Sequence, residues 1–420
     1  MSGPLDGLRV LDLGTRIAAP FCAGLLGEQG ADVIKVEQPG SGDFMRQIGP
    51  FVDTDEGPYS LFWSVEGRGR RSVTIDLRRP EGQDLFRRLA AECDVVCENF
   101  RPGTLERWNI APPDLDPRLV VVRISAFGQD GPYAQRPGLD RLGIGYGGLL
   151  HLTGDPDRPP VRPGVTTSDY LTGVFAAQAA TAALYRRDAG GGQSRRDAGG
   201  GQSRRDAGGD GTAGRGAVID ACLYASVLRI LEWTVAGYDR LGVVREREGN
   251  RLGTSAPLDN YPTADGKYVC LVAGSDTNYA RLCRAMGREE LIGDPRFATL
   301  TERAARSDDI NGIVADWTRS LPASEVERRA VEFDVPVATA YTAADIAGDP
   351  HMAARGDLVE VADAVAGPVR QQGPAVRMVG EQRPVPSGAP RLGEHTREVL
   401  AELVGLDDDE LDELATDGVI

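Results

Sequence analysis

The chain has 420 residues, of which 47 are Lys or Arg and 63 are Asp or Glu, so its formal net charge is −16. This charge argues against nucleic acid or an anionic membrane as a partner, because phosphate contacts need a basic surface. With 41% hydrophobic residues and no apolar run long enough to span a bilayer, the sequence predicts sizeable cores in at least two domains.

The first residues and the cysteines bear on location and on metal binding. Residues 1–7 contain neither the basic nor the apolar region of a secretion signal, so we expect a cytoplasmic protein. Most of the six cysteines lie inside apolar periodic segments, which favours buried free thiols. Cys93 and Cys97 lack the second pair, or the His, that a zinc site needs, so we expect no metal.

The N-terminal stretch predicts a strand at residues 8–13, a helix with Pro20 in its first turn, and a second strand at 31–36. This is a βαβ unit that ends in the acidic Glu37, as in many nicotinamide enzymes. However, the turn at 14–19 lacks the glycine pattern that lets a pyrophosphate approach the backbone. The sequence therefore argues against a dinucleotide site at this position.

Between residues 38 and 140, strand-like and helical runs alternate. The strand-like runs are 72–76, 94–97 and 119–124, and the helical runs are 80–92 and 104–108. This alternation predicts a doubly wound, mostly parallel sheet with helices on both faces, whose ligands sit at the carboxyl ends of strands. Candidate binding residues follow such ends: Arg78, Asn99, Phe100, Arg101 and Arg107. Each of these arginines could equally be a solvated surface charge.

Residues 126–160 are rich in Gly and Pro and predict a loop that lines a site. The run 143–148 fits the letters G-x-G-x-x-G, but it follows a turn at 136–141 and no strand. We therefore do not interpret it as a dinucleotide motif. His151 lies nearby, and a structural role is favoured for it, as for His351 and His395.

Residues 170–185 predict a helix buried on all sides, because small side chains occupy every face. Residues 166–169, which precede it, are Thr, Thr, Ser and Asp, the residue types that commonly cap the N-terminus of a helix. The Asp169 carboxylate would lie near unpaired N–H groups and the positive end of the helix dipole, which favour its ionised form. An ionised carboxylate in a dry site can act as a nucleophile, whereas the alternative is a helix cap, a common role for Asp.

Residues 186–194 carry a nine-residue unit that recurs at 195–203 and begins again at 204. A Gly-rich, charge-mixed repeat has nothing apolar to bury and predicts a flexible loop. The predicted organisation is a large domain beginning with residues 1–185, an insertion at 186–216, a connecting helix at 217–255, a small α+β domain at 256–330, and a return to the large domain with C-terminal helices at 331–420.

Taken together, these motifs resemble the family III CoA transferases, which include formyl-CoA transferase, carnitine CoA-transferases and α-methylacyl-CoA racemases. The matching motifs run nearly end to end: 8–13, 30–37 with Pro39 and 42–43, 98–103, 147–148 with 153–154, Asp169 with Gly173, 261–267, 294–297 and 392–396. The resemblance implies a Rossmann-like large domain and an interlocked homodimer. It also implies acyl-CoA and carboxylic acid substrates, with no permanently bound cofactor.

The resemblance also implies roles for individual residues. Asp169 falls on the aspartate that the family uses as its nucleophile, forming an aspartyl mixed anhydride and then an aspartyl-CoA thioester. The implied CoA contacts are Arg16, Gln38, Arg78, Asn99, Phe100, Arg101 and Arg107, and Gln38 stands where some members carry Arg. We expect Gly147, Gly148 and the start of the Asp169 helix to provide oxyanion donors.

One position distinguishes two reactions of the family. The racemase branch carries a His beside an Asp where this chain has Leu139 and Asp140, and Leu139 cannot move a proton. We therefore expect CoA transfer, with racemisation or another acyl-CoA isomerisation as the alternative and a catalytically silent CoA-binding protein as a third hypothesis. The sequence does not identify the acyl donor or the acceptor.

Overall fold

The computed structural model describes residues 3–190, 214–381 and 385–420. Its strands are β1 Arg9–Asp12, β2 Asp32–Glu37, β3 Phe51–Thr54, β4 Gly57–Ser60, β5 Arg71–Thr74, β6 Val95–Glu98, β7 Val120–Ser125, β8 Ala217–Cys222, β9 Leu258–Pro262, β10 Tyr268–Val272, β11 Val337–Thr339, β12 Leu358–Asp363 and β13 Gly367–Gln372. Its α-helices are α1 Ala18–Glu28, α2 Leu61–Glu66, α3 Pro80–Ala91, α4 Thr104–Arg107, α5 Asp140–Tyr146, α6 Leu149–Leu152, α7 Thr167–Gly190, α8 Leu223–Arg229, α9 Thr234–Leu241, α10 Asp276–Met286, α11 Leu300–Ala305, α12 Ser307–Arg319, α13 Ala323–Glu332, α14 Ala343–Gly348, α15 Pro350–Arg355, α16 Thr396–Val399 and α17 Asp408–Thr416.

The described residues form two compact units. The first comprises Met1–Leu149, Pro163–Glu232 and Ala354–Ile420, and the second comprises Leu150–Arg162 and Trp233–Ala353. The second unit is therefore wider than the predicted small domain at 256–330. It includes β11, whose residues pair with β10, although the sequence had placed them in the large domain.

The first unit is built on a six-stranded sheet in the order β5-β2-β1-β6-β7-β8, and every neighbouring pair in it is parallel. Counted along the chain, this order is 3-2-1-4-5-6, as in doubly wound folds. The order reverses between β1 and β6. The loops that follow these two strands diverge and leave a crevice between them. The parallel sheet was predicted, and its reversal point marks the edge at which to look for a ligand.

Helices cover both faces of this sheet. Successive residues of a strand point to opposite faces, and apolar residues of the same strands pack on each face. On one face, Leu11 and Val96 pack in a core with α3 and the C-terminal helices. On the other face, Val10 and Val95 pack with α1 and α7. This arrangement confirms the prediction of helices on both faces.

The predicted burial of α7 on all sides is wrong. Its small residues Ala176, Ala180 and Ala183 are buried and recur at helical spacing, whereas Val174 and Phe175 are exposed. The helix also extends to Gly190. The first residues of the repeat are therefore helical, whereas we had expected a loop. Arg187 is buried there and bonds Asp94 at 3.0 Å; residues 191–213 of the predicted insertion lie outside the described residues.

The predicted connecting helix at 217–255 begins instead with a strand. Strand β8 pairs in parallel with β7, from Val120 opposite Ala217 to Ser125 opposite Cys222. A short apolar run does not distinguish a strand from a buried helix, and here the free edge of β7 supplies the hydrogen bonds that favour a strand. Helices α8 and α9 follow it.

The second unit contains an antiparallel sheet in the order β11-β10-β9, packed against α10, α12 and α13. A turn at residues 263–267 joins β9 and β10. Residues 300–319 form two helices, α11 and α12, which are divided at Arg306. Among the helices of the described residues, none has the length and apolar composition that a bilayer span requires.

The cysteines only partly meet the prediction of buried thiols. All six are free; Cys22, Cys97 and Cys283 are buried, whereas Cys270 is exposed because it lies on the outer side of β10. The two remaining cysteines are partly buried. Within the described ranges, no group of three or more His, Cys, Asp or Glu side chains is placed to hold a metal ion.

Candidate active site

The start of α7 is held against α1, which fixes the position of Asp169. Gly173 lies so close to α1 that an added Cβ would be 3.0 Å from the carbonyl oxygen of Ala18, so only a glycine allows this approach. Tyr170 packs edge-on against Phe21 with ring centroids 4.8 Å apart. Because α1 begins just after the carboxyl end of β1, this packing brings Asp169 to that end of the sheet.

The carboxyl group of Asp169 is half-buried and its pKa is raised to about 7. Burial is the main cause, the nearby carboxylate of Asp140 adds to it, and the positive charge of Arg16 opposes it. We had expected the helix N-terminus to favour the ionised form; burial and the like charge of Asp140 act in the opposite direction. Such a pKa is typical of residues that take part in catalysis.

Arg16 lies on the loop that follows β1. Its backbone adopts a φ of 67°, which is uncommon for a side chain other than glycine, and its N–H donates to Asp43 at 3.2 Å. Its exposed guanidinium stacks 4.1 Å from the ring centroid of Phe44. The structure thus places this predicted CoA contact beside the predicted nucleophile.

The loops after β1 and β6 are joined at the point where the strand order reverses. Asn99 accepts from the N–H of Thr15 at 2.8 Å and donates to its carbonyl oxygen at 2.7 Å. A cavity of about 100 Å³ opens beside this pair, and Gln38, Phe100 and Trp108 are among the residues that line it. Phe100 stands edge-on to Trp108 with ring centroids 5.2 Å apart. The cavity therefore offers an aromatic wall at the carboxyl edge of the sheet.

The predicted arginine contacts are exposed, but their partners differ. Arg78, which follows β5, forms a two-pronged bond to Asp76, with both nitrogen–oxygen distances at 2.8 Å. This bond, with a further one from Gln38, lowers the pKa of Asp76 to about 2. Arg101 and Arg107 follow β6, and Arg107 donates to Thr104 at 2.9 Å.

Gly147 and Gly148 do not have the geometry that we predicted for oxyanion donors. Leu139, the residue that distinguishes the two reactions, is 58% exposed. The N–H groups of Gly147 and Gly148 donate to the carbonyl oxygens of Gly143 and Gly145, so neither points free toward an oxyanion. An added Cβ at Gly147 would meet Val227 at 2.7 Å, so the close approach of α5 and α8 explains this glycine. The predicted loop at 126–160 likewise contains the helices α5 and α6.

A buried charge network beneath the loop after β1 was missed by the sequence analysis. Lys35 is fully buried, pairs with Asp43 at 2.9 Å and Asp12 at 3.5 Å, and donates to the carbonyl oxygen of Gly14. Asp12 also accepts from Arg70 at 3.2 Å. A lysine inside an apolar strand was the available signal, because such a charge is buried only when it is paired.

Glu37 belongs to the same region and has a structural role. Its carboxylate accepts two bonds from Arg46, at 2.7 and 2.9 Å, and one from Ser72 at 2.7 Å. It also accepts from the N–H of Asp43. A carboxylate with this many partners is not free to bind a ribose, in agreement with our rejection of a nicotinamide site here.

The fold and site define an α/β protein with a half-buried carboxyl group of raised pKa beside the switch point of a parallel sheet. The chain belongs to CoA-transferase family III, whose sequence model matches residues 5–196 and 209–396. This confirms the resemblance, and the unmatched residues 197–208 lie within the repeat.

Individual relatives are similar over almost the whole chain. A succinyl-CoA–D-citramalate CoA-transferase of Chloroflexus aurantiacus is 40% identical over 99% of this chain and 98% of its own. The beta subunit of a succinyl-CoA–L-malate CoA-transferase from the same organism is also 40% identical, over 99% of this chain and 98% of its own. The crystal structure of a CAIB/BAIF family protein from Brucella suis is 32% identical, with a TM-score of 0.81 over 96% of this chain and 100% of that one.

Proposed function

We propose that this family III CoA-transferase moves CoA from an acyl-CoA to a free carboxylic acid through covalent intermediates on Asp169. The observation that carries the proposal is the half-buried Asp169 carboxylate, which lies beside Arg16 at the carboxyl end of the parallel sheet. A carboxylate is a weak nucleophile in water. Desolvation and fixed positioning are the means by which a protein makes it react.

The reaction begins when an Asp169 oxygen attacks the thioester carbonyl carbon of the donor. The carbon–sulfur bond breaks and CoA leaves as the thiolate, so a neutral aspartyl–acyl anhydride remains. The thiolate then attacks the Asp169 carbonyl carbon, releases the donor acid as a carboxylate and forms an aspartyl-CoA thioester. The acceptor carboxylate reverses these two steps and leaves as the new acyl-CoA, which regenerates Asp169. Each step exchanges one anionic oxygen or sulfur for another, so no oxidant is needed.

For the substrates, we propose succinyl-CoA as donor and a short dicarboxylic acid as acceptor. Both relatives described above are named for succinyl-CoA, and their acceptors, citramalate and malate, are hydroxylated four- and five-carbon diacids. A diacid keeps one carboxylate free while the other reacts. An exposed cation beside Asp169, such as Arg16, suits that second charge.

We further propose that CoA binds along the carboxyl ends of β1, β2, β5 and β6. The residues are those that the family resemblance implies: Arg16, Gln38, Arg78, Asn99, Phe100, Arg101 and Arg107. The aromatic wall at Phe100 suits the adenine ring, and the exposed Arg101 and Arg107 suit the phosphates. Asn99 takes part indirectly, because it fixes Thr15 and therefore the loop that carries Arg16.

Replacing Arg101 with Ala should raise the KM for the acyl-CoA donor by roughly 10-fold, because one charge-assisted phosphate contact is worth about 1.5 kcal/mol. The KM for the acceptor acid should not change. Arg319→Ala in α12 of the second unit removes an equally exposed arginine and should leave both constants as they are. Equal donor KM values for Arg101→Ala and Arg319→Ala would show that Arg101 does not contact CoA.

The homodimer that the resemblance implies is also a proposal. In the first unit, Leu139, Leu142 and Tyr146 are 50–58% exposed around α5, and in the second unit Tyr238 and Leu241 of α9 are 63% and 77% exposed. Apolar side chains repeated along helix faces in this way are typical of surfaces covered by a partner. Light scattering should give twice the mass of one chain, and a monomer at micromolar concentration would contradict this.

Intact-protein mass spectrometry after mixing with a panel of acyl-CoAs tests the covalent route. Succinyl-CoA should add CoA, less one water, to the protein as the aspartyl thioester. Hydroxylamine should convert it to a hydroxamate on Asp169. No adduct with any donor, together with a normal transfer rate, would contradict covalent catalysis on Asp169.

One observation also suits the alternative of acyl-CoA isomerisation, because a carboxyl group with a pKa near 7 can act as a general base. The same experiment distinguishes the two activities. Deuterium entering the α-carbon of the donor in D2O, without an acceptor acid and without a CoA adduct, would assign the protein to the isomerase branch. Leu139 offers no second proton-transfer group, which favours the transferase.

A further inference from the structure

Asp140 is a buried carboxylate that contacts the residue before Asp169. It is the first residue of α5 and is only 6% exposed. Its Oδ1 accepts from the N–H of Ser168 at 2.8 Å, and the Ser168 hydroxyl lies 3.0 Å from both this oxygen and the Asp140 carbonyl oxygen. The first N–H groups of a helix lack partners within the helix. Asp140 therefore caps α7 from a different helix.

The surroundings of Asp169 contain few other charges. From α1, the nearest contacts to the start of α7 are the uncharged Phe21 and Ala18. From α2, Glu66 accepts from the Tyr170 hydroxyl at 2.7 Å, and burial raises the pKa of Glu66. Among the described residues, Asp140 and Arg16 are the charged groups that act on Asp169.

We propose that Asp140 is a positioning residue that promotes acylation of Asp169, a role that rests on the covalent route proposed above. It ties the first turn of α7 to α5, and it places beside Asp169 a negative charge whose repulsion is relieved when Asp169 is acylated. In this acylation step, an Asp169 oxygen bonds to the acyl carbon of the thioester, and the electron pair of the carbon–sulfur bond leaves with CoA.

The free and acylated states of Asp169 differ in charge. In the free enzyme, two carboxylates share a partly dry site, and their repulsion raises the free energy of the ionised nucleophile. In the anhydride and in the aspartyl-CoA thioester, Asp169 is neutral and the repulsion is absent. The same repulsion makes the Asp169 carboxylate more basic, and a more basic oxygen is a better nucleophile once it is ionised.

The test is Asp140→Asn, because the amide oxygen can still accept from Ser168 while the charge is removed. We measure the single-turnover rate of acylation against pH by quenching and mass spectrometry. The midpoint of the acid limb should fall by about one pH unit, and the rate at pH 8 should fall several-fold. Ser168→Ala removes the hydroxyl contact but keeps the charge, so its midpoint should stay at the wild-type value.

A second readout does not depend on activity. The Asp169 carboxyl carbon, labelled with carbon-13 aspartate and assigned by its loss in Asp169→Asn, should titrate at lower pH in Asp140→Asn than in the wild type. An unchanged titration midpoint and an unchanged acid limb would overturn the proposal while leaving covalent catalysis in place. A shifted NMR midpoint in a protein that no donor labels would overturn the covalent route, and with it the proposed effect on acylation. Asp140→Ser also removes the charge and serves if the amide variant does not fold.

Discussion

Replacing Asp169 with Asn should reduce the rate of CoA transfer by roughly 10⁴-fold or more, because an amide has nearly the same shape but no nucleophilic oxygen anion. The KM for the donor should change little, since Asp169 is not itself one of the proposed CoA contacts. Initial rates with succinyl-CoA and a diacid acceptor, followed by chromatography of the acyl-CoA product, measure the loss. Near-normal turnover in this variant would show that Asp169 is not the nucleophile.

The stability of the same variant provides a control against misfolding. Because the folded-state pKa of Asp169 is raised from 3.8 to about 7, its ionisation costs stability. The cost is absent below pH 4, grows as the pH rises from 4 to 7, and is complete above 7. Asp169→Asn should therefore raise the free energy of unfolding at pH 8 by on the order of 2 kcal/mol and leave it unchanged near pH 4. A variant that is inactive yet more stable at pH 8 is not misfolded.

Replacing Lys35 with Met should destabilise the first unit by about 3–5 kcal/mol, because it leaves the buried carboxylate of Asp43 without its counter-charge and that of Asp12 with Arg70 alone. Lys35 is fully buried and holds Asp12, Asp43 and the carbonyl oxygen of Gly14. Asp43 in turn holds the N–H of Arg16, so the loop beside Asp169 should loosen as well. Hydrogen exchange of peptides covering residues 9–43, with chemical denaturation of the whole chain, measures both effects.

Lys267→Met makes the same substitution at an exposed site in the second unit. Lys267 pairs with Asp345 at 2.7 Å with its side chain 42% exposed. Solvent-exposed pairs of this kind contribute less than about 1 kcal/mol. If Lys35→Met proved no more destabilising than Lys267→Met, the buried network would not support the loop after β1.

Much of the first unit could be predicted because its strands are short apolar runs separated by helices with recognisable ends. The strands at 32–37 and 120–125 and the helix at 80–91 lie within two residues of the prediction. The strand at 217–222 was missed because its pairing with β7 is a contact across nearly a hundred residues. The buried face of α7 could likewise not be predicted, because an alanine-rich sequence does not reveal which side of the helix contacts α1.

For the site, the sequence indicated the candidate residues but not their partners. Asp169 and the loop residues near Arg16 were identified from motifs, whereas the charge that faces Asp169 comes from Asp140, 29 positions earlier in the chain. Arg78 was predicted to contact CoA, yet it already binds Asp76. Such competition between a ligand and a neighbouring carboxylate depends on side-chain geometry, which spacing along the chain does not specify.

Helix α7 carries Asp169 in its first turn and ends at Gly190, where the nine-residue repeat is already under way. At 1.5 Å per residue, about 30 Å of helix separates the two. The repeat is thus attached to the far end of the helix whose first turn carries the proposed nucleophile. We expect that copies of the unit can be added or removed there without displacing Asp169, which makes this junction a suitable place to insert a tag or a reporter domain.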